Sequence, residues 1–343
     1  MNRQAKSSAA DTAQALLSRA GRWRLWEIAL WLLAVALIFI LPSKMLILTE
    51  IAILALFAVS LDLILGYAGI VSLGHTAFFG LGAYAAGLFA RDFVSEPVSG
   101  LLVAGLVSGA FGFVTSFLVL RGSDLTRLMT TFGVAMLLGE IANQAAWLTG
   151  GADGLSGIMV TPILGLFEFD LWGRNGYIYA LVVLMALTYV ARRIVNSPFG
   201  LSLKAIKRNQ RRASMLGISP TRRIVAIYTL SAAYAGIAGA LLTQTTSFVS
   251  PDVLAFHRSA DVLLVLVIGG VGYLYGGIFG AVIFSVLRDW LSVITPQYWM
   301  FWIGLILIII VFVGRERLGR WRTYLPGAAD RLKAKSQAAE DAP

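Results

Sequence analysis

The 343-residue chain has no cysteine, which excludes disulfides, thiolate metal sites and cysteine nucleophiles. Histidine is almost as scarce. His75 and His257 are too few and too far apart for a histidine-rich metal site. Serine, histidine and acid do not fall into a recognisable nucleophilic set, and no paired-aspartate protease motif is present. The chain is therefore not expected to be an enzyme. Charge is thin as well: Asp, Glu, Lys and Arg make up 13% of residues, against about a quarter in soluble domains. Acid is missing altogether between Ala191 and Arg223.

What the chain does have is apolar surface, with 58% hydrophobic residues. A water-soluble fold of this composition would leave large greasy patches exposed, and insertion into a bilayer removes that conflict. Apolar segments run over 26–42, 46–65, 72–90, 98–120, 125–148, 176–191, 223–246, 259–272, 275–288 and 297–314. Each is read as helix, because a lone strand would leave its backbone polar groups unpaired in lipid. The first run ends at Pro42 without a small-residue cleavage motif, so it is read as an anchor rather than a signal peptide.

The formal charge of +10 is unevenly placed. Basic residues gather in a leader (residues 1–25), in a loop (192–223) and in a tail (315–343), with the membrane region spanning 26–314. Positive charge set between membrane-length apolar runs argues for topology rather than nucleic-acid binding. Ten passages with both termini cytoplasmic put all three clusters on one side. The loop 149–175, with Asp153, Glu168, Asp170 and a single Arg174, then faces outward. The expected fold is an all-α polytopic membrane protein with broken or re-entrant helical segments in a bacterial inner or plasma membrane. The short segments 259–272 and 275–288 are read either as tilted passages or as a broken pair.

Glycine marks two interruptions. Gly66, Gly69 and Gly74 lie just before His75, and Gly269, Gly270, Gly272 and Gly276 form a second cluster. Such runs are costly in continuous helix and natural in a turn or unwound passage. The second cluster lacks the lysine-serine or lysine-threonine ending of a phosphate loop. His75 reads as a structural hydrogen bond at the broken entry, or as a proton-coupling group. His257 and Arg258, beside Pro251 and Asp252, read as an external loop.

Three carboxylates fall in apolar segments. Asp62 reads as an interfacial group, and Glu140 as a buried contact with Asn143 or Gln144, while Asp261 begins the eighth segment. All three equally fit a solute path. In the basic loop, Ser197-Pro198-Phe199-Gly200 reads as a break leading into a short helix over 201–216, stopped by Gly217 and Pro220. That helix either lies on the anionic leaflet or docks on a cytoplasmic protein.

An ordered series of motifs resembles one family. It includes Leu63-Ile64-Leu65-Gly66-Tyr67-Ala68-Gly69, Ser72-Leu73-Gly74-His75-Thr76-Ala77-Phe78-Phe79-Gly80, Thr149-Gly150-Gly151-Ala152-Asp153-Gly154-Leu155, Ser197-Pro198-Phe199-Gly200, Ala235-Gly236-Ile237-Ala238-Gly239 and the 269–280 glycines. Over roughly residues 45–315 the chain resembles the LivM-like permeases of bacterial ATP-binding-cassette uptake systems for branched-chain amino acids. The resemblance implies a LivH-like second permease, two cytoplasmic ATPase subunits that use ATP and Mg, and an external solute-binding protein. No cofactor is expected on this chain. Related systems take other amino acids, amides, urea or aromatic acids, and a secondary transporter driven by an ion or proton gradient is the rival reading.

The resemblance also makes Ala205, Ile206, Lys207, Arg208, Asn209, Arg211, Arg212, Leu216 and Gly217 the segment coupled to the ATPases. Three departures from the family stand out, the first being Asp62, where relatives often carry asparagine. The loop is wholly basic where relatives carry acid near Gln210 and Ser214, and Arg127 replaces a smaller apolar residue, either snorkelling inward or neutralising Asp124.

Overall fold

The structure is a computed structural model that describes residues 25–120, 122–162, 165, 170 and 173–313. The basic leader, the tail from residue 314 and Glu168 lie outside the described residues. Each of the ten apolar segments corresponds to a helix. In chain order these are α1 (Leu25–Ile40), α2 (Met45–Leu65), α3 (Thr76–Asp92), α4 (Pro97–Val119) and α5 (Asp124–Gln144), followed by the short α6 (Ala146–Thr149). Next come α7 (Arg174–Val195), the basic-loop helices α8 (Pro198–Arg208) and α9 (Gln210–Met215), and α10 (Pro220–Thr246). The last three are α11 (Phe256–Gly269), α12 (Gly276–Ile294) and α13 (Trp299–Val313). Six are long and apolar enough to cross a bilayer: Pro42–Leu65 (α2 with its leading turn), α4, α5, α7, α10 and α12. Among the described residues the sole β pairing is an isolated bridge between Leu155 and Val249.

The chain divides into two compact units, Met1–Phe284 and Ser285–Pro343. In the second, the end of α12 leads to α13 through a turn in which the Thr295 N–H bonds to the Leu291 carbonyl at 2.8 Å and the Tyr298 N–H to the Thr295 carbonyl at 3.1 Å.

In the first unit α10 is the central element, packed by α2, α3 and α4. Contact is close because side chains are missing where backbones meet. A Cβ on Gly82 would lie 2.3 Å from the Gly236 Cα, and one on Gly239 would lie 1.9 Å from the Phe79 carbonyl oxygen. Hydroxyls sew the same surfaces together, since Ser108 Oγ donates to the Phe78 carbonyl at 3.0 Å and Thr243 Oγ1 to the Ala83 carbonyl at 3.0 Å. In an apolar solvent such dispersion contacts and interhelical bonds take over the role of the hydrophobic effect.

Four helices of the apolar segments, α1, α3, α11 and α13, have 14 to 17 residues and are short for a full crossing. With 17 and 14 residues, α3 and α11 extend about 26 Å and about 21 Å, less than the roughly 30 Å of a hydrocarbon core. Their N-termini meet: Thr76 Oγ1 lies 2.9 Å from Ser259 Oγ and 3.5 Å from the Leu254 carbonyl. From there α3 runs toward the C-terminal end of α10, where Gly87 packs on Leu155 and Thr243. α11 runs toward the C-terminal end of α2, where Gly272 packs on Gly66. The same succession thus occurs twice, a long helix, an interruption (66–75 after α2, 247–255 after α10) and a shorter helix. The second of these interruptions lies in the stretch read from sequence as an external loop. The glycine cluster at 270–275 is a further turn, joining α11 to α12. Segment 275–288 is not short, because α12 continues to Ile294.

Gly239→Val should lower the melting temperature of the purified protein sharply, a cost of at least about 1–3 kcal/mol from overpacking. Gly133→Ala, where nothing lies within 4 Å of the added methyl, should melt at or slightly above the native temperature.

Candidate functional site

The glycines at 66–69 and 270–272 belong to one place. α2 ends at Leu65, and the Gly66 N–H still bonds to the Asp62 carbonyl at 2.7 Å. The Asp62 carboxylate reaches across to the turn after α11, where Oδ1 accepts the Gly272 N–H at 2.7 Å. A Cβ on Gly272, whose φ is +83°, would fall 3.2 Å from the Gly66 carbonyl oxygen. Asp62 is thus covered by protein on the side of the second glycine turn. It is fully buried, and among the described residues its Oδ2 has no hydrogen-bond partner. The sequence reading missed this because the partner lies 210 residues away.

The basic loop ends on the same spot. Lys207 Nζ donates to the Gly66 carbonyl at 2.7 Å, and Lys204 Nζ stands 5.4 Å from the centre of the Tyr67 ring. Gly69, at φ +76°, leaves room for the Lys207 stem, whose Cγ would be 2.9 Å from a Cβ there. α8 is placed by its own pattern. Ser197 accepts the Gly200 N–H at 3.5 Å, Pro198 opens the first turn, and Gly200, Ser202, Leu203 and Ile206 are buried where the helix packs on α7 and α10. Its opposite face, with Lys204, Lys207 and Arg208, is exposed.

The expected single helix over 201–216 is two. Asn209 adopts an extended backbone (φ −161°, ψ 104°), and its Oδ1 accepts the Arg212 N–H at 2.9 Å, capping α9. An asparagine before a polar turn is a readable cap signal that the sequence reading passed over. α9 leaves Met215 and Leu216 84% and 78% exposed before Gly217 (φ +80°) turns the chain. An open groove lined by Asn209, Gln210, Arg211, Ser214 and Pro220 runs beside them.

His75 lies at the inner start of α3, fully buried. Its Nε2 is 2.9 Å from Ser60 Oγ and 3.5 Å from Ser231 Oγ, Ser231 donates to the Ser60 carbonyl, and the ring stacks on Phe57 at 5.6 Å. These contacts join α2, α3 and α10 through the buried imidazole. Gly74 lets the chain pass against α5, where a Cβ would sit 1.7 Å from the Thr131 carbonyl oxygen. Gly269 and Gly276 face each other across the third turn, with Gly270 at φ +102°.

The three acidic path candidates separate. Glu140 is exposed rather than buried and accepts Gln144 Nε2 at 2.8 Å, the anticipated partner but on an open face. Asp261 is half-buried early in α11. Arg127 pairs with Asp124 at 3.1 Å, as the spacing anticipated. One pair was missed altogether. Glu27 of α1 and Arg192 of α7 form a buried ion pair, and Arg192 also reaches the Tyr275 hydroxyl at 3.3 Å beside Trp26, which stands edge-on to Tyr275 at 5.0 Å. A lone carboxylate in the first apolar run was the available signal.

This is an all-α, multi-pass membrane protein built around interrupted helices, with a basic connector seated on one of the interruptions. Residues 43–311 match the family described as branched-chain amino acid transport system / permease component, and the chain belongs to that family. It is thus a permease subunit of the ATP-binding-cassette type for small-molecule import. Among its relatives, the high-affinity branched-chain amino acid transport system permease protein LivM of Salmonella typhimurium is 29% identical, covering 91% of this chain and 77% of the relative. LivH of the same organism is 22% identical (76% and 88%), and the fructose import permease protein FrcC of Rhizobium meliloti is 26% identical (78% and 76%). No solved structure matches the chain.

Replacing Asp62 by Leu removes the acceptor of the Gly272 N–H and should destabilise the protein by about 1–3 kcal/mol. Asp62→Asn keeps an acceptor oxygen and should melt well above the leucine variant. Thermal unfolding in detergent ranks the two, and the reverse order would contradict the assignment.

Proposed function

We propose that this chain imports branched-chain or related amino acids, forming the passage together with a second, LivH-like permease. Two cytoplasmic ATPase subunits supply the driving force, and an external solute-binding protein delivers the solute. The observation that carries this reading is the seating of Lys207 on the Gly66 carbonyl, which ties the basic connector directly to a break in the membrane helices. Both LivM and LivH relatives are named for branched-chain amino acid transport, which supports the solute class.

In this mechanism, α8 and α9 are the coupling element. Met215 and Leu216 offer an apolar foot to the motor, and the groove between Asn209 and Pro220 receives it. The inner face of α8 packs on α7 and α10, so displacement of the foot moves the ends of those helices and the 66–75 interruption with them. Glycine at the turning points lets the backbone change direction at low cost. Both termini lie in the cytoplasm, with the leader 1–25 and tail 315–343 on the motor side.

Of the two groups that favour a gradient-driven mechanism, His75 is sealed behind Phe57, Ser60 and Ser231 while Glu140 is exposed, so the source of drive is decided by uptake without a gradient. The fructose permease relative makes a sugar the specific rival solute. The complete assembly, reconstituted in vesicles, should take up leucine with ATP after ionophores have collapsed all gradients, and should not take up fructose. Leucine uptake that needs a gradient, or fructose uptake in its place, would contradict the proposal. Met215→Asp with Leu216→Asp should cut leucine moved per ATP hydrolysed by at least tenfold. An unchanged ratio would remove the coupling role.

A further inference from the structure

Three ionisable side chains cluster where the second interruption meets α11, and nothing above uses them. Arg258 donates through Nε and Nη2 to Asp252 Oδ2 at 3.1 and 3.0 Å, and His257 Nε2 lies 3.5 Å from Asp252 Oδ1. Their side chains are 38%, 49% and 53% exposed for Arg258, Asp252 and His257. The cluster is accessible from outside this subunit, and Arg258 Nη1 is left for another acceptor.

Its height along the helices decides what it faces. Leu254, between Asp252 and Arg258, packs on Gly80 and bonds through its carbonyl to Thr76, next to His75. His75 in turn contacts Ser231, which sits about 16 Å along an α10 that is about 40 Å long. Gly139 of α5 also meets this level, its Cβ position 3.8 Å from the Leu254 Cβ, and the exposed Glu140 follows it. The charges therefore lie near the middle of the layer. A charged side chain facing acyl chains there costs about 2.5–3.5 kcal/mol even on the mildest scale. A water-filled passage shared with a second permease removes that cost. α5, beside the cluster, has 17% of its apolar window buried within this subunit, so its face is open to line such a passage.

A free amino acid carries a carboxylate and an ammonium on adjacent carbons. The cluster presents complementary charges side by side, the Arg258 guanidinium at the start of α11 and the Asp252 carboxylate. The partial positive charge of the α11 N-terminus favours an anion at the same place. We propose that Arg258, held in place by Asp252, binds the carboxylate of the amino acid as it passes through the membrane. This deepens the amino-acid reading above and rests on it.

The test uses the full assembly in vesicles and measures leucine delivered per ATP hydrolysed. Arg258→Gln should lower that ratio at least tenfold, and Arg258→Lys, which keeps the charge but loses the fork, should fall between it and the native protein. Adding Asp252→Asn to Arg258→Gln should not restore transport. This neutral pair also carries the comparison if the single variant fails to assemble, because it leaves no unpaired charge. An Arg258→Gln assembly that delivers leucine at the native ratio overturns the proposal. So does rescue by Asp252→Asn, which would mean the ion pair only holds the 251–258 turn. A native assembly that moves no leucine overturns the amino-acid reading itself, and the proposal with it.

Discussion

Every backbone N–H and C=O released where a membrane helix is broken has to find a partner inside the protein, because the surrounding lipid offers none. The first unit of the fold is arranged around that requirement. At the end of α2, Asp62 takes the Gly272 N–H and Lys207 takes the Gly66 carbonyl. At the start of α3, Ser259 approaches the Thr76 N–H at 3.3 Å while Thr76 answers with a bond to Leu254. Each of these bonds joins residues far apart in sequence. The interruptions are therefore stable only in the assembled bundle, and they hold its helices in register.

The requirement explains the small residues. Interruptions have to be covered by neighbouring helices at close range, and α10 achieves this with Gly236, Gly239 and its alanines rather than with large side chains. The result is uneven packing. α2, α3, α4 and α10 form a tight group, while α5 keeps a largely open face. A rigid group beside an open face suits a subunit whose passage is completed by another chain. The basic connector lies on this group, with Lys207 bonded to the Gly66 carbonyl, so under the proposed coupling a push on α8 would reach the end of α2.

Much of this was legible in the sequence. Ten apolar segments became ten helices, Gly66 to Gly74 and Gly269 to Gly276 marked real turns, and Pro198 with Gly217 bounded the connector. The rest was hidden for physical reasons. The interruption at 247–255 carries Pro251 but no glycine, so it resembles an ordinary loop. Asp62 lies late in an apolar helix, as an interfacial carboxylate would, and only the return of residue 272 buries it. Glu27 and Arg192 are 165 residues apart, and neither has a local motif that announces its partner. Sequence period reports which face of a helix is apolar. It does not report which distant polar group will meet a lone charge.

The central claim is that the connector and the first interruption move as one body. Because the chain has no cysteine of its own, Gly69→Cys and Lys207→Cys give it two thiols at a contact where a Cβ on residue 69 would lie 3.6 Å from the Lys207 Cβ, within disulfide reach. Oxidising this pair in the reconstituted assembly and measuring ATP-driven leucine uptake gives the most direct answer. Uptake close to that of the reduced double variant is the predicted result, whereas abolition of uptake by the cross-link, with recovery on reduction, would show that the two segments must part during the cycle and would contradict the account.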